Sequence, residues 1–415
     1  MLTKYKGKEL FVENVSLTKL AKKYNTPVYV YSQGKIENNF KAYKDGFKDV
    51  KSIICYAMKA NSNNTILKLL AKLGAGADIV SGGELYRALK AGINPQKIVY
   101  SGVGKTSKEI EFAVKSNILM FNAESLEEVE NINKIAGKLK KKARISFRVN
   151  PDVDVHTHKY ITTGKKGNKF GIMYNDAFDI YMKVSKMKNI EIVGIDSHIG
   201  SQLLEVKPYN VAATRIAKLI DRLEATGIKI KYIDIGGGLG IKYTNSDKPQ
   251  TPANLKKAII AVYSKYKDKT IIVEPGRSMI GDAGVLVGEV VYRKTSGGKN
   301  FIITNLAMND LIRPALYEAY HEVLPVKKTS KKQQIADIVG PVCESSDFIA
   351  KDRKFPILEQ GELIAVESAG AYGMAMASQY NSRTRGAEVL VKGSNVRVIQ
   401  KRETVEDLIS KEIKL

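Results

Sequence analysis

The sequence contains no tryptophan and only two cysteines and four histidines among its 415 residues. Cys55 and Cys343 lie far apart along the chain, which excludes a disulfide framework and fits a reducing compartment. No apolar run approaches the roughly 18 residues of a membrane-spanning helix. The N-terminal segment MLTKYKGKEL also lacks the apolar core of a signal peptide. We therefore expect a cytoplasmic protein with no membrane partner.

Acidic residues are scarce, since 43 of them stand against 67 basic residues and leave a net charge of +24. Such an excess raises the question of a nucleic-acid partner. The lysines are spread along the whole chain, however, and the densest runs, at 137–144 and 326–334, contain no interleaved aromatic residues. A lysine-biased surface without a nucleic-acid partner is the favoured interpretation.

Apolar, β-branched runs alternate with segments of helical period between about residue 50 and residue 277. The eight strand candidates are 52–57, 77–80, 97–101, 118–122, 144–149, 191–197, 230–235 and 270–274. Capping-box starts at Ser81, Thr106 and Ser125 support helices between the strands. Glycines 74, 92, 137 and 227 are typical of helix ends. Eight βα units predict a (β/α)8 TIM barrel, whereas a doubly wound sheet would use fewer strands.

The pattern changes after residue 278, where short β-rich runs are joined by glycine turns, as in GVLVGEVVYRKTSGGKNFIITNL. The first 32 residues, including TPVYVYS, also have β character. We therefore predict a barrel domain over residues 33–277 and a mainly β, sandwich- or barrel-like domain formed by residues 1–32 together with 278–415.

In a barrel of this kind, functional groups collect after the carboxyl ends of the strands. Lys59 follows the first strand, His198 the sixth, the glycines of IDIGGGLG the seventh, and Glu274 the eighth. In isolation, Lys59 would be interpreted as a solvated strand end and His198 as a core histidine. Because Lys59 and His198 share the rim of the predicted barrel, a functional role is favoured for both.

The segment IDIGGGLG partly resembles a dinucleotide fingerprint, but a loop follows it instead of a helix. Three consecutive glycines after a seventh barrel strand favour a phosphate-binding loop over an ordinary turn. His156 and His158 have the spacing of a metal pair, yet no ligand cluster completes a coordination sphere, so we expect no metal.

A lysine, a phosphate loop and a rim glutamate together indicate pyridoxal phosphate. Lys59 would hold the aldehyde as a Schiff base, and neighbouring cations and burial would keep its amine nucleophilic. Glu274 would face the pyridine nitrogen. The protonated ring is the electron sink that a decarboxylation needs.

An ordered set of motifs carries a family resemblance over residues 56–378. The motifs are YAMKAN, SGGEL, RVNPDVD, NKFGI, HIGSQ, DIGGGLGI, EPGRSM, NDLIRPALY, GPVCES and GAYGMAMAS. With them the sequence resembles the diaminopimelate decarboxylases, which belong to the alanine racemase-like, pyridoxal phosphate-dependent barrel enzymes. The resemblance implies decarboxylation of meso-2,6-diaminopimelate to L-lysine and CO2, the last step of lysine biosynthesis.

The resemblance also implies roles for the matching residues. Lys59 anchors the cofactor, His198 stacks on its ring and Glu274 pairs with its nitrogen. The residues implied to hold the phosphate or lie beside it are Ser201, Gly236, Gly237, Gly238, Gly276, Arg277 and Tyr372. The residues implied to bind substrate are Arg277, Arg313, Tyr317, Glu344 and Tyr372.

Cys343 is implied to donate the proton that replaces CO2, and Glu344 to bind the distal ammonium, both reaching into the site of a second copy. A homodimer with shared active sites is therefore expected. The open alternatives are an ornithine/arginine-type or carboxynorspermidine-type decarboxylase of the same fold. A non-catalytic pyridoxal phosphate-binding barrel and an amino-acid racemase fit less well, because the first would lack Cys343 and Arg313 and the second would place arginine where Glu274 stands.

Overall fold

The computed structural model describes residues 2–153 and 169–413, which divide into two compact units. The first unit comprises Met1–Asn38, Ile241–Asp247 and Met279–Leu415, and the second comprises Asn39–Gly240 and Lys248–Ser278. The boundaries given above, 33–277 against 1–32 and 278–415, stay a prediction. Within the described residues, no helix combines the length and the apolar character needed to cross a membrane.

The described residues form twenty-one strands, which are numbered in chain order. They are β1 (Lys4–Lys6), β2 (Glu9–Val12), β3 (Val15–Ser16), β4 (Val28–Ser32), β5 (Ser52–Ala57), β6 (Gly76–Ile79), β7 (Ile98–Tyr100), β8 (Met120–Ala123), β9 (Ala143–Asn150), β10 (Ile172–Met173), β11 (Ile190–Asp196), β12 (Tyr232–Asp234), β13 (Thr270–Val273), β14 (Gly284–Ser296), β15 (Lys299–Thr304), β16 (Val323–Pro325), β17 (Gln333–Val339), β18 (Phe348–Pro356), β19 (Leu363–Val366), β20 (Ala387–Lys392) and β21 (Asn395–Gln400).

The α-helices are numbered in the same way. They are α1 (Leu17–Tyr24), α2 (Gln33–Gly46), α3 (Asn64–Leu73), α4 (Gly82–Lys90), α5 (Ser107–Lys115), α6 (Leu126–Lys138), α7 (Tyr174–Val184), α8 (Lys207–Glu224), α9 (Pro252–Tyr263), α10 (Arg277–Ile280) and α11 (Arg313–Tyr317).

The second unit is a closed parallel barrel of the eight strands β5, β6, β7, β8, β9, β11, β12 and β13, with β10 added beside β9. Pairing of β13 with β5 and of β8 with β9 closes the ring. These strands are almost continuously buried, as expected where helices cover a parallel sheet. Cys55 lies in the core with Val99, Leu119 and Met120, as its apolar strand predicted. The predicted barrel is confirmed.

Helix starts follow the sequence signals more closely than helix ends do. The side chains of Ser81, Thr106 and Ser125 each accept a hydrogen bond from the third residue of α4, α5 and α6, and Thr106 forms the complete capping box. Gly74 ends α3 in the left-handed conformation. Gly137 does not end α6, which runs on to Lys138, so that prediction was wrong.

The first unit is mainly β, as predicted. Its large sheet has the order β18-β17-β15-β14-β4-β20-β21, with β16 and β19 attached, and β1, β2 and β3 form a smaller sheet. Gly297 and Gly298, both with positive φ, turn β14 into β15 as the predicted hairpin. The helix α1 was missed in the N-terminal segment expected to be β; its apolar side packs Leu17, Leu20 and Ala21 into the core.

Candidate active site

The carboxyl ends of the barrel strands carry polar groups around the whole ring. Lys59 follows β5, Asp78 lies near the end of β6, and Asn122 lies in β8. Asp196 ends β11, Asp234 ends β12 and Glu274 directly follows β13. Hydrogen bonds and ion pairs link these groups across the ring, and they form one polar layer.

Lys59 is the middle residue of a short 3-10 turn, Met58–Ala60, and the residues on either side of it, Met58 and Ala60, are buried. Its Nζ lies 2.9 Å from Asp78 Oδ2, and its side chain is 41% exposed while that of Asp78 is fully buried. The buried neighbours fix the backbone, and the carboxylate orients an amine that remains accessible. Lys59 is therefore neither buried in the core nor an ordinary solvated strand end.

Asp196, Asp234 and Glu274 place carboxyl oxygens within 4.8 Å of one another. Burial, together with the charge of Asp78, raises the pKa of Asp234 to about 6. Burial and repulsion by Asp234 raise the pKa of Glu274 and of Asp196 well above their usual range. Asp234 and Glu274 are joined by a side-chain hydrogen bond. Two carboxyl groups can approach so closely because they share a proton.

Asn122 connects this cluster to the neighbouring strands. Its Nδ2 lies 3.2 Å from Ser101 Oγ and 3.3 Å from a carboxyl oxygen of both Asp234 and Glu274. Its Oδ1 accepts a hydrogen bond from Ser146 Oγ at 2.6 Å. The amide therefore holds the two carboxyl groups at fixed positions.

His198 lies beside the glycine loop. The backbone N–H of Gly237 donates to His198 Nδ1 at 3.2 Å, so in the neutral ring the proton is on Nε2. Burial, together with the positive charges of Arg148 and Lys59, lowers the pKa of His198 well below its usual value. The ring is neutral at physiological pH and is fixed in orientation.

The loop Gly236–Gly238 has no room for side chains. A Cβ on Gly237 would lie 2.1 Å from the carbonyl oxygen of Glu274, and one on Gly238 would lie 2.3 Å from that of Gly200. Gly236 and Gly238 also have positive φ values of 66° and 102°. Next to this loop in the barrel unit, Arg277 Nη2 donates to Ser201 Oγ at 3.1 Å. A backbone without side chains beside a guanidinium suits an anion.

Gly276 lies in the barrel unit, whereas Arg313, Tyr317 and Tyr372 lie in the first unit. Arg313 begins α11 and is buried beside His321, with 2.7 Å between Nη1 and Nε2, and Tyr317 ends the same helix. Tyr372 has a φ of 57°, which is rare for an aromatic residue. The structure brings Arg313 and Tyr317 together on α11.

Cys343 and Glu344 are both exposed, on a loop that is held by Asp347. The backbone N–H of Val342 donates to Asp347 Oδ2 at 2.7 Å, and that of Cys343 donates to Asn381 Oδ1 at 2.8 Å. The loop therefore presents a thiol and a carboxylate to the outside from a fixed backbone.

Comparison with known proteins identifies this arrangement. Residues 33–281 match the family model of the pyridoxal-dependent decarboxylases, pyridoxal binding domain. A diaminopimelate decarboxylase of Aquifex aeolicus is 53% identical over 405 residues, which is 98% of this chain and 96% of that protein. The chain belongs to the diaminopimelate decarboxylase family.

Solved structures of the family agree over nearly the whole chain. The diaminopimelate decarboxylase of Helicobacter pylori in complex with L-lysine has a TM-score of 0.92 at 46% identity, covering 95% of this chain and 98% of that one. The enzyme of M. jannaschii, also in complex with L-lysine, has a TM-score of 0.95 at 38% identity, covering 100% of this chain and 98% of that one.

Pyridoxal phosphate is the cofactor of this family, and the barrel residues fit it. Lys59 supplies an accessible amine at the rim. Asp78 Oδ1 and Asp196 Oδ1 are buried without a hydrogen-bond partner among the described residues, and such atoms call for a polar ligand. The pyridoxal phosphate-binding roles of Lys59, His198, Ser201, Gly236, Gly237, Gly238, Glu274, Gly276, Arg277 and Tyr372 remain our assignment.

Asp78, Asn122, Arg148, Asp196 and Asp234 were not predicted from sequence. All except Arg148 stand at or near the end of an apolar run, which could have placed them at the rim but not shown which of them meet. His156 and His158, interpreted as non-metal residues, lie outside the residues that the structure describes.

Proposed function

We propose that this protein decarboxylates meso-2,6-diaminopimelate at one of its two amino-acid ends and releases CO2 and L-lysine. The observation that carries the proposal is near-full-length similarity to diaminopimelate decarboxylases, two of which are solved with L-lysine bound. The barrel chemistry supports it, because the polar layer contains the accessible amine and the buried carboxyl groups that the cofactor needs.

Pyridoxal phosphate, when bound, supplies the electron sink for the bond between Cα and the departing carboxylate. Lys59 would hold its aldehyde carbon and Glu274 its ring nitrogen. His198, neutral and fixed by Gly237, offers a flat face for the ring. The phosphate would lie against the backbone of Gly236–Gly238 and of Gly276, with Ser201 and Arg277, and Tyr372 beside it.

Meso-diaminopimelate has a second amino-acid end, which does not react and has to be recognised. We assign Arg277, Arg313 and Tyr317 to substrate carboxylates, since a guanidinium binds a carboxylate through two N–H groups. Glu344 would bind the distal ammonium, and Tyr372 would contact the substrate. A substrate with only one amino-acid end would leave these groups unpaired, which is costly and therefore selective.

The proposal includes a homodimer that shares its two active sites and works in the cytoplasm. Cys343 and Glu344 are exposed on a fixed loop, as expected of residues that act in the site of a second copy. At Cα, a proton from Cys343 would take the place of the departing CO2.

The purified holoenzyme should convert meso-diaminopimelate to equal amounts of lysine and CO2. Turnover of ornithine, arginine or carboxynorspermidine without turnover of diaminopimelate would instead support the related decarboxylases. Binding of pyridoxal phosphate with no turnover of any of these would indicate a non-catalytic barrel.

The Cys343→Ala variant should lose about 100-fold or more in kcat, the range for removal of a proton-transfer group, and should keep its cofactor. Ser345→Ala, in the same exposed loop, is the matched control. Mixing Cys343→Ala with Lys59→Ala subunits should restore about a quarter of wild-type activity, because half of the dimers pair unlike subunits and each of those has one intact site. No restoration would contradict sharing between copies.

A further inference from the structure

A fully buried histidine lies behind the predicted carboxylate-binding arginine of the first unit. His321 is 0% exposed and Arg313 is 5% exposed. His321 Nδ1 lies 2.8 Å from the carbonyl oxygen of Glu367, and His321 Nε2 lies 2.7 Å from Arg313 Nη1. The carbonyl can only accept and the guanidinium can only donate. Nδ1 therefore carries the proton and Nε2 accepts from Arg313, which defines a neutral ring in one tautomer.

A tyrosine bounds the same guanidinium on another side. The guanidinium carbon of Arg313 lies 4.8 Å from the ring centroid of Tyr243. Tyr243 in turn meets His321 edge to face, with 5.3 Å between centroids and an angle of 80° between the ring planes. Two rings at nearly a right angle thus restrict both the position and the rotation of the arginine fork.

His321 is itself firmly held by its surroundings. Its carbonyl oxygen accepts from Arg353 Nη2 at 3.1 Å, and the backbone N–H of Glu367 donates to the Glu322 carbonyl at 2.9 Å. The Glu367 carboxylate accepts from the backbone N–H groups of Leu2 and Thr3, each at 3.2 Å. The carbonyl that fixes the histidine is therefore anchored on both sides.

The chemistry of a neutral partner differs from that of an acidic one. A carboxylate beside Arg313 would fix its geometry but would also neutralise the charge that attracts a substrate carboxylate. A neutral imidazole fixes one N–H of the fork and leaves the full positive charge in place. Arginine has five N–H donors in a planar fork, so the orientation of one sets the direction of the others.

We propose that His321 is a positioning residue, which orients Arg313 towards the carboxylate of the unreacted substrate end and so contributes to selection of a two-ended amino acid. The proposal rests on the proposed function, because it assumes that Arg313 binds this carboxylate. L-Lysine, the expected product, keeps the unreacted end with its carboxylate, whereas 1,5-diaminopentane lacks it.

Two amide substitutions separate the two contacts of the ring. His321→Gln places an amide near the Nε2 position and can still accept from Arg313. His321→Asn places one near the Nδ1 position and can still donate to the Glu367 carbonyl, but it loses the contact with Arg313. Both remove the imidazole, and each keeps one of its two contacts, so the variant that binds lysine more tightly shows which contact matters for the carboxylate.

With the cofactor-loaded enzyme, His321→Asn should weaken L-lysine binding about tenfold or more, the scale for a hydrogen bond to a charged group. KM for meso-diaminopimelate should rise to a similar extent, with a smaller change in kcat. His321→Gln should stay within about threefold of wild type by the same measure. Binding of 1,5-diaminopentane, measured by calorimetry or by competition with lysine, should not weaken in either variant.

Equal lysine affinity in wild type and His321→Asn would overturn the proposal. So would an equal loss in both variants accompanied by a lower thermal unfolding midpoint, since that result describes a histidine needed only for packing. If the wild-type enzyme neither forms lysine from diaminopimelate nor binds lysine, the proposed function fails instead. The wild-type measurement therefore distinguishes failure of the proposed function from failure of the His321 proposal.

Discussion

Replacement of Lys59 by alanine should abolish turnover and also the retention of pyridoxal phosphate through dialysis. The Lys59 amine belongs to the described polar layer directly after β5, and the buried neighbours Met58 and Ala60 hold it at the rim. A methyl group can neither hold the cofactor aldehyde nor pair with Asp78. We expect a loss in kcat of roughly 10³-fold or more, as is usual when a nucleophilic group is removed.

The measurement combines the visible absorbance of the dialysed protein with release of CO2 from meso-diaminopimelate. Lys68→Ala is the matched control, because Lys68 is an exposed lysine on the helix that follows. Lys59→Ala protein that keeps both its absorbance and full turnover would remove Lys59 from the site. Loss of absorbance in both variants would point to a general defect in folding.

The barrel could be predicted from sequence because its strands obey a local rule. Each parallel strand is covered by helices and therefore reads as a short apolar run, and β5 was predicted to the residue. Lys59, His198 and Glu274 follow such runs, so the predicted strands also predicted the position of these residues at the rim. Gly137 was misjudged because a glycine near a helix end resembles a terminator, whereas here it gives close contact with Asn189.

The carboxyl cluster could not be predicted in the same way. Asp196 and Asp234 are 38 residues apart in the numbering and meet only because β11 and β12 pair in parallel register. Asn122 joins Asp234 and Glu274 only once the eight-strand ring closes. The role of His321 is harder to predict than the carboxyl cluster, because it depends on which ring nitrogen faces Arg313. Proximity created by closure and by side-chain orientation has no local signal in sequence.

The Glu274→Gln variant should lose activity and gain stability at the same time. Glutamine keeps the shape of the side chain and an oxygen that can accept from Asn122, but it cannot carry the negative charge that a protonated ring nitrogen needs. We expect kcat to fall about 100-fold or more, the scale for one electrostatic partner of a reacting centre. Glu111→Gln, on the exposed face of α5, is the matched control.

The stability gain follows from the raised pKa of Glu274, which is due first to burial and then to repulsion by Asp234, Asp78 and Asp196. A carboxyl whose folded-state pKa is raised keeps its proton in the folded state while the unfolded chain releases it. Its cost to stability is absent below pH 4 and grows as pH rises, by about 1.4 kcal/mol per pH unit until the folded-state pKa is passed. Cofactor-free Glu274→Gln should therefore resist urea better than wild type at pH 8 and equally at pH 4. A variant less stable than wild type at both pH values would show that the Glu274 carboxyl contributes structural bonds that the amide cannot replace, and would contradict the stability cost assigned to its burial.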